Sequence, residues 1–134
     1  QVEKYAKNYR YVVVDNEAGL EHISRGILPK VDIILLVSDC SRRGIQAVGR
    51  ISEMIQELNL GVKEVKLIVN RAPGGVLNDG VKEEIANPGL TLAGVVPQDE
   101  TVYEYDAEGK PSVDVPEDAP IKQAVLKIFE GLGL

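Results

Sequence analysis

Residues 31–44 read Val31-Asp32-Ile33-Ile34-Leu35-Leu36-Val37-Ser38-Asp39-Cys40-Ser41-Arg42-Arg43-Gly44, and the way this stretch changes character decides the fold. From Val31 to Val37 the run is apolar on both faces, as expected of a strand buried inside a parallel sheet. The polar Ser38-Asp39-Cys40 follows abruptly. Ser41 then offers a hydroxyl that can cap a helix by accepting a hydrogen bond from its first turn. Beyond it, Ile45, Val48, Ile51, Ile55 and Leu58 recur at the helical period, and Gly61 stands where a helix stop belongs.

The same alternation extends in both directions. Toward the C-terminus, Val65 to Val69 reads as a strand, followed by Asn70-Arg71 and a Pro73-Gly74-Gly75 turn. A shorter helix is expected from Leu77 to Ala86, stopping before Pro88, and Leu92 to Val96 reads as a strand ending at Pro97. Residues 98–119 contain Pro111 and Pro116 and read as loop. A final helix carries Ile121, Val125, Ile128, Phe129 and Leu132 on one stripe. Toward the N-terminus, Tyr11-Val12-Val13-Val14 reads as a first strand that ends in Asp15-Asn16-Glu17-Ala18-Gly19. Leu20, Ile23 and Ile27 then mark a helix up to Pro29. Strands alternating with helices imply an α/β fold, a parallel sheet with flanking helices and right-handed crossovers.

Composition narrows the function classes. The chain has 134 residues, enough for one domain or part of one. With 44% hydrophobic and 27% charged residues it has ordinary globular usage, which argues against disorder. Its net charge of −6 and scattered Lys and Arg argue against nucleic acid or a membrane surface as partner, since both require a concentrated basic face. The one cysteine, Cys40, cannot form a disulfide within the chain and makes no CxxC pair, so a reducing, cytoplasmic setting is expected. No apolar run approaches the roughly 18 residues of a membrane span. The sequence begins at Gln1 without a signal-peptide pattern, and a fragment or processed product is the expectation.

In open α/β sheets, ligands bind beyond the carboxyl ends of the strands. Those ends read Asp15-Asn16-Glu17, Ser38-Asp39-Cys40, Asn70-Arg71 and Pro97-Gln98-Asp99, a polar edge that is either a site or merely the polarity of loops and caps. A carboxylate at a strand tip, such as Asp15, can hold Mg²⁺ through water, as the Walker-B position of P-loop enzymes does. Ala18-Gly19 would let the next segment approach a γ-phosphate. The GxxxxGK[ST] phosphate loop is missing: the one Gly-Lys pair, Gly109-Lys110, is followed by Pro111. His22 and Cys40 have no ligand spacing around them and read as structural rather than metal-binding. The final helix carries Lys122 and Lys127 beside Glu130, a basic face too thin for a membrane anchor. A receiver domain would need a phosphorylatable Asp on a middle strand, where this sequence has Asn70.

The stretch Val12-Val13-Val14-Asp15-Asn16-Glu17-Ala18-Gly19-Leu20-Glu21-His22-Ile23-Ser24-Arg25 closely resembles a segment of the CooC-type ATPases. These are nickel-insertion accessory proteins of carbon monoxide dehydrogenase, within the MinD/ParA/nitrogenase-iron-protein class of P-loop NTPases. Val37-Ser38-Asp39 with Arg43-Gly44-Ile45, Leu67-Ile68-Val69-Asn70-Arg71 and Gly94-Val95-Val96-Pro97-Gln98-Asp99 resemble later segments of that family, in the same order. The resemblance implies that residues 1–134 form the C-terminal part of a single P-loop NTPase domain of the deviant Walker A type.

It further implies a catalytic Asp15 that assists Mg²⁺ through water and a nucleotide-sensing switch at Asn16, Glu17, Ala18 and Gly19. Asn70 would hydrogen-bond the adenine edge of ATP or ADP, with Arg71 beside it. The Pro97-Gln98 backbone would line the base pocket, with Asp99 close by. An amide suits that task because it offers donor and acceptor together. The other readings are that Asn70 terminates a strand and that Arg71 is merely solvated.

The family's phosphate-loop lysine and Cys-x-Cys nickel ligands are absent here and expected upstream of Gln1. Nickel would be bound in the parent protein through residues not present in this chain, which alone would be inactive. The implied parent is a homodimer serving carbon monoxide dehydrogenase or a related nickel enzyme. The alternatives are a MinD/ParA-like ATPase of other function and a non-catalytic interaction module that has lost the loop.

Overall fold

The computed structural model describes residues 8–15, 31–59, 61–86 and 90–133. In chain order the elements are β1 (Ile33–Asp39), α1 (Arg42–Leu58), β2 (Glu64–Ala72), a 3-10 turn (Pro73–Gly75), α2 (Asp79–Ala86), β3 (Leu92–Pro97), α3 (Glu100–Ala107), a second 3-10 turn (Ser112–Asp114) and α4 (Pro120–Gly131). Among the described residues the strands form a three-stranded parallel sheet in the order β1-β2-β3. Parallel neighbours require crossovers, and α1 and α2 supply them.

One face of the sheet is dry. Leu36 pairs with Leu67 across β1 and β2, and both side chains are buried with Val69, Ala72, Ile45, Val48, Ile55, Val81 and Ile85 in a single cluster. Ile45, Leu67, Val69 and Val81 are its fully buried large side chains, each contributing about 1.5–3 kcal/mol over an exposed position. Of the α1 stripe read from the sequence, Ile45, Val48 and Ile55 are buried here and Ile51 packs against them, whereas Leu58 is exposed. Ser41 caps α1 as expected, its Oγ accepting from Gly44 N at 3.0 Å. The helix ends at Asn59, which takes the left-handed conformation two residues before Gly61. At the rim, Arg42 donates to Glu84 Oε1 from Nη2 at 2.9 Å and from Nε at 3.1 Å, and Gln46 reaches the same oxygen at 3.3 Å. This brace ties α1 to α2, though an ion pair with an exposed partner contributes only about 0.2–1 kcal/mol.

The second face is covered by α4 over β3. Gly94 lies beneath Ile128, and a Cβ at Gly94 would run into that side chain. Val96 and Ile128 are buried there, so the last helix is a packing element. No helix among the described residues is long and apolar enough to cross a membrane.

Two expectations fail. Residues 11–14 form no strand: they have no ladder partner among the described residues, and Val13 is 91% exposed. β-branched residues favour an extended backbone, but a strand exists only where a neighbouring chain accepts its hydrogen bonds. Residues 98–119, read as loop, contain α3 and a 3-10 turn. α3 buries no side chain, so it leaves no apolar period to read; Asp99 starts it by accepting from Thr101 N at 2.9 Å. The helix expected over residues 20–27 lies outside the described residues.

Candidate functional site

The carboxyl ends of β1, β2 and β3 lie side by side, because the parallel ladder brings Asp39 opposite Asn70 and Ala72 opposite Pro97. At the β1 end the chain turns into α1 through a tight polar knot. Ser41 Oγ donates to Asp39 Oδ1 at 2.6 Å, and the buried Ser38 donates to the Asp39 carbonyl at 2.9 Å. Gly44 is required there, since a Cβ would collide with Asp39 Oδ1 and Ser38 Oγ. The sequence reading found the cap at Ser41 and missed this use of Gly44; the signal was a glycine three residues after a capping serine.

At the β2 end the strand does not stop at Val69 as expected but continues to Ala72 through a bulge. Val69 pairs with Val95 and Ala72 with Pro97, so three steps on β2 match two on β3. Burial records the same extra residue, since Val69 and Ala72 are both fully buried although three apart. In an unbroken strand Arg71 would share the core face of Leu67 and Val69. The bulge instead leaves Asn70 half-buried and Arg71 exposed. Arg71 adopts φ +57°, a left-handed conformation that costs a non-glycine residue about 1–2 kcal/mol. Asn70 Oδ1 accepts from Arg71 N at 2.9 Å within the bulge. Beyond it, Gly74 and Gly75 supply the positive φ values of the Pro73–Gly75 turn.

At the β3 end, Gln98 N donates to the Ala72 carbonyl at 2.9 Å, fastening Pro97-Gln98 against the bulge. The Asp99 carboxylate is fully engaged: Oδ1 accepts from Thr101 N and Oδ2 from Ile121 N at 3.4 Å. The Thr101 backbone bond lowers its pKa most; partial burial opposes this, and the Thr101 hydroxyl and Ile121 N–H add to the lowering. Asp99 thus ties the start of α3 to the start of α4 beside the edge.

Of the expected site residues, the fold gathers Asn70, Arg71, Pro97, Gln98 and Asp99 at the neighbouring ends of β2 and β3. Asp15 is exposed, outside the sheet ladder and joined to that edge by no hydrogen bond or ion pair among the described residues. The switch residues Asn16, Glu17, Ala18 and Gly19, and also His22, lie outside the described residues. Cys40 packs against the core cluster, and no group of three potential metal ligands exists among the described residues.

No family profile matches the sequence. The chain is 34% identical over 131 residues to an uncharacterized ATP-binding protein of Methanocaldococcus jannaschii, covering 96% of this chain and 51% of that protein. It is 28% identical over 109 residues to the carbon monoxide dehydrogenase accessory protein CooC of Rhodospirillum rubrum, covering 81% of this chain and 40% of that protein. The chain therefore spans about half the length of the curated relatives it matches.

Among solved structures, the MinD cell division protein of Aquifex aeolicus superimposes with TM-score 0.75 at 23% identity, over 98% of this chain and 56% of that one. A ParA family ATPase from Chlorobium tepidum gives TM-score 0.75 at 20% identity, over 98% and 53%. MinD of Pyrococcus horikoshii complexed with Mg-ADP gives 0.58 at 18%, over 75% and 41%. The chain has an α/β fold that matches a portion of the MinD/ParA ATPase domain. In sequence it is similar to uncharacterized ATP-binding proteins and, at lower identity, to the accessory protein CooC.

Proposed function

We propose that the chain is part of a MinD/ParA-class P-loop ATPase and that the joined ends of β2 and β3 form the base side of its nucleotide site. The observation that carries this reading is the fastening of Pro97-Gln98 to the Asn70–Arg71 bulge through Gln98 N and the Ala72 carbonyl. It sets an amide, a guanidinium and a rigid Pro backbone at the strand ends where α/β sheets bind ligands. The relatives named as ATP-binding proteins and the fold shared with a Mg-ADP complex support the same reading.

Asp15 would act on Mg²⁺ through water. The ion keeps several waters beside its phosphate oxygens, and an exposed carboxylate can accept a hydrogen bond from one of them. When bound, Mg²⁺ would neutralise charge on the transferring phosphoryl group. Asn16 to Gly19 would be the segment that senses the nucleotide. ATP hydrolysis by the complete protein, measured with and without Mg²⁺, tests the reading: Asp15→Asn should lower the rate at least about tenfold. An unchanged rate removes Asp15 from the site.

A narrower second reading is nickel delivery to carbon monoxide dehydrogenase or a related nickel enzyme by a cytoplasmic homodimer. It rests on the Asp15-Asn16-Glu17-Ala18-Gly19 string and on the similarity to CooC. Metal would bind through residues outside this chain. Nickel content of a carbon monoxide dehydrogenase matured with and without the complete protein separates this reading from a MinD/ParA-like ATPase of other function.

A further inference from the structure

Residues 98–119 join β3 to α4 with little packing to hold them in place. α3 buries no side chain. From Asp106 to Asp118 Val115 alone is buried, and Val113, two residues before it, is 76% exposed. Hydrogen bonds rather than core contacts therefore set the course of this segment, and they converge on the first turn of α4.

Lys122 makes three of them. Its Nζ donates to the Val113 carbonyl at 2.8 Å, to the Val115 carbonyl at 2.5 Å and to Glu117 Oε1 at 3.0 Å. An ammonium has three protons, so each one has a protein acceptor. A helix lysine ordinarily keeps its head in water, as Lys127 does on the same helix, exposed and without a bonded partner among the described residues. The Lys122 side chain is only 24% exposed. One residue before it, Ile121 N donates to Asp99 Oδ2 at 3.4 Å. One residue after it, Gln123 Nε2 donates to the Glu117 carbonyl at 2.6 Å. Three consecutive residues of α4 thus hold both ends of the segment, where it leaves β3 and where it returns.

We propose that Lys122 is a positioning residue for the base side of the nucleotide site. It pins residues 113–117 to the first turn of α4, and that turn holds Asp99 through the Ile121 N–H. Asp99 follows directly on Pro97-Gln98, which Gln98 N fastens to the Ala72 carbonyl. Without the ammonium the returning segment is released, α4 loses its hold on Asp99, and the Pro97-Gln98 wall loosens. Lys122 itself touches no ligand. This rests on the nucleotide reading above and deepens it, since the wall owes its rigidity to a helix further along the chain.

Three substitutions isolate the effect. Lys122→Met keeps most of the stem and loses all three donors. Lys122→Arg keeps the charge and several donors. Lys127→Met removes a cation from the same helix at a position that pins nothing.

The test uses the complete protein, with calorimetric titration of Mg-ATP and Mg-GTP and with proteinase K cleavage mapped within residues 108–119. Wild type should prefer Mg-ATP. Lys122→Met should bind Mg-ATP about tenfold more weakly and Mg-GTP nearly as before, so the preference shrinks. It should also be cut within residues 108–119 about tenfold faster than wild type. Lys122→Arg should recover most of both properties, and Lys127→Met should match wild type. An undiminished preference for Mg-ATP in Lys122→Met overturns the positioning role. Equal weakening for the two nucleotides also overturns it, because general loosening of the fold has no reason to distinguish bases. Equal binding of the two by wild type leaves no base-reading wall to position and overturns it as well. If wild type binds neither nucleotide, the nucleotide reading falls and takes the positioning role with it. Unchanged cleavage in Lys122→Met overturns the pin whether or not nucleotide binds.

Discussion

Residues 11–15 and residues 33–39 are both apolar β-rich runs that end in an aspartate, yet they have opposite fates. Ile33–Asp39 is a paired strand whose Leu36 and Ser38 are buried. Tyr11 to Val14 is unpaired among the described residues and exposed, with Val13 at 91%. The two segments teach that a strand is a property of two chains. β-Branching favours an extended backbone and apolar side chains need cover, while the neighbour's free N–H and C=O groups decide whether the run is a strand. For β1 that neighbour is β2, along seven paired positions from Ile33↔Glu64 to Asp39↔Asn70.

Substitutions can break or sharpen this contrast. The largest effect is expected at the partner of the paired strand: Leu67→Ala should destabilise the complete protein by about 2–5 kcal/mol in denaturant unfolding. Next comes Gly94→Val, which forces Ile128 and α4 off β3 and should cost about 1–3 kcal/mol in the same measurement. Loss of the cap in Asp99→Ala should cost about 1 kcal/mol. The smallest effect is expected in the unpaired run, where Val13→Ser should stay within about 0.5 kcal/mol of wild type. A large loss from Val13→Ser would show that residues 11–14 are covered in solution and erase the contrast.

Asp99 also carries a pH signature. Its folded pKa lies below the ordinary carboxylate value, with Thr101 N–H as the main cause. A depressed carboxylate stabilises the fold fully above its unfolded pKa of about 4 and loses that contribution as pH falls through the folded value. Acid titration of stability should therefore show a smaller drop below about pH 4 in Asp99→Ala than in wild type.

What the sequence made legible follows the same logic. α1, β2 and α4 were readable because their apolar residues recur at the period of the element and meet a partner: Ile45, Val48 and Ile55 against Leu36 and Leu67, and Ile128 against Gly94. α3 was invisible because it buries nothing and is started by a single carboxylate. The polar edge was legible as composition, since Asn70-Arg71 and Pro97-Gln98-Asp99 follow apolar runs. Its geometry was not. The bulge depends on one extra residue against β3, and the engagement of Asn70 Oδ1 and of both Asp99 oxygens depends on backbone groups that carry no sequence label.

The central claim is that the joined ends of β2 and β3 read a nucleotide base, and calorimetric titration of Mg-ATP into the complete protein tests it most directly. The account predicts saturable binding that weakens at least about tenfold in Asn70→Ala. Absence of binding to wild type, or equal affinity in Asn70→Ala, would contradict it.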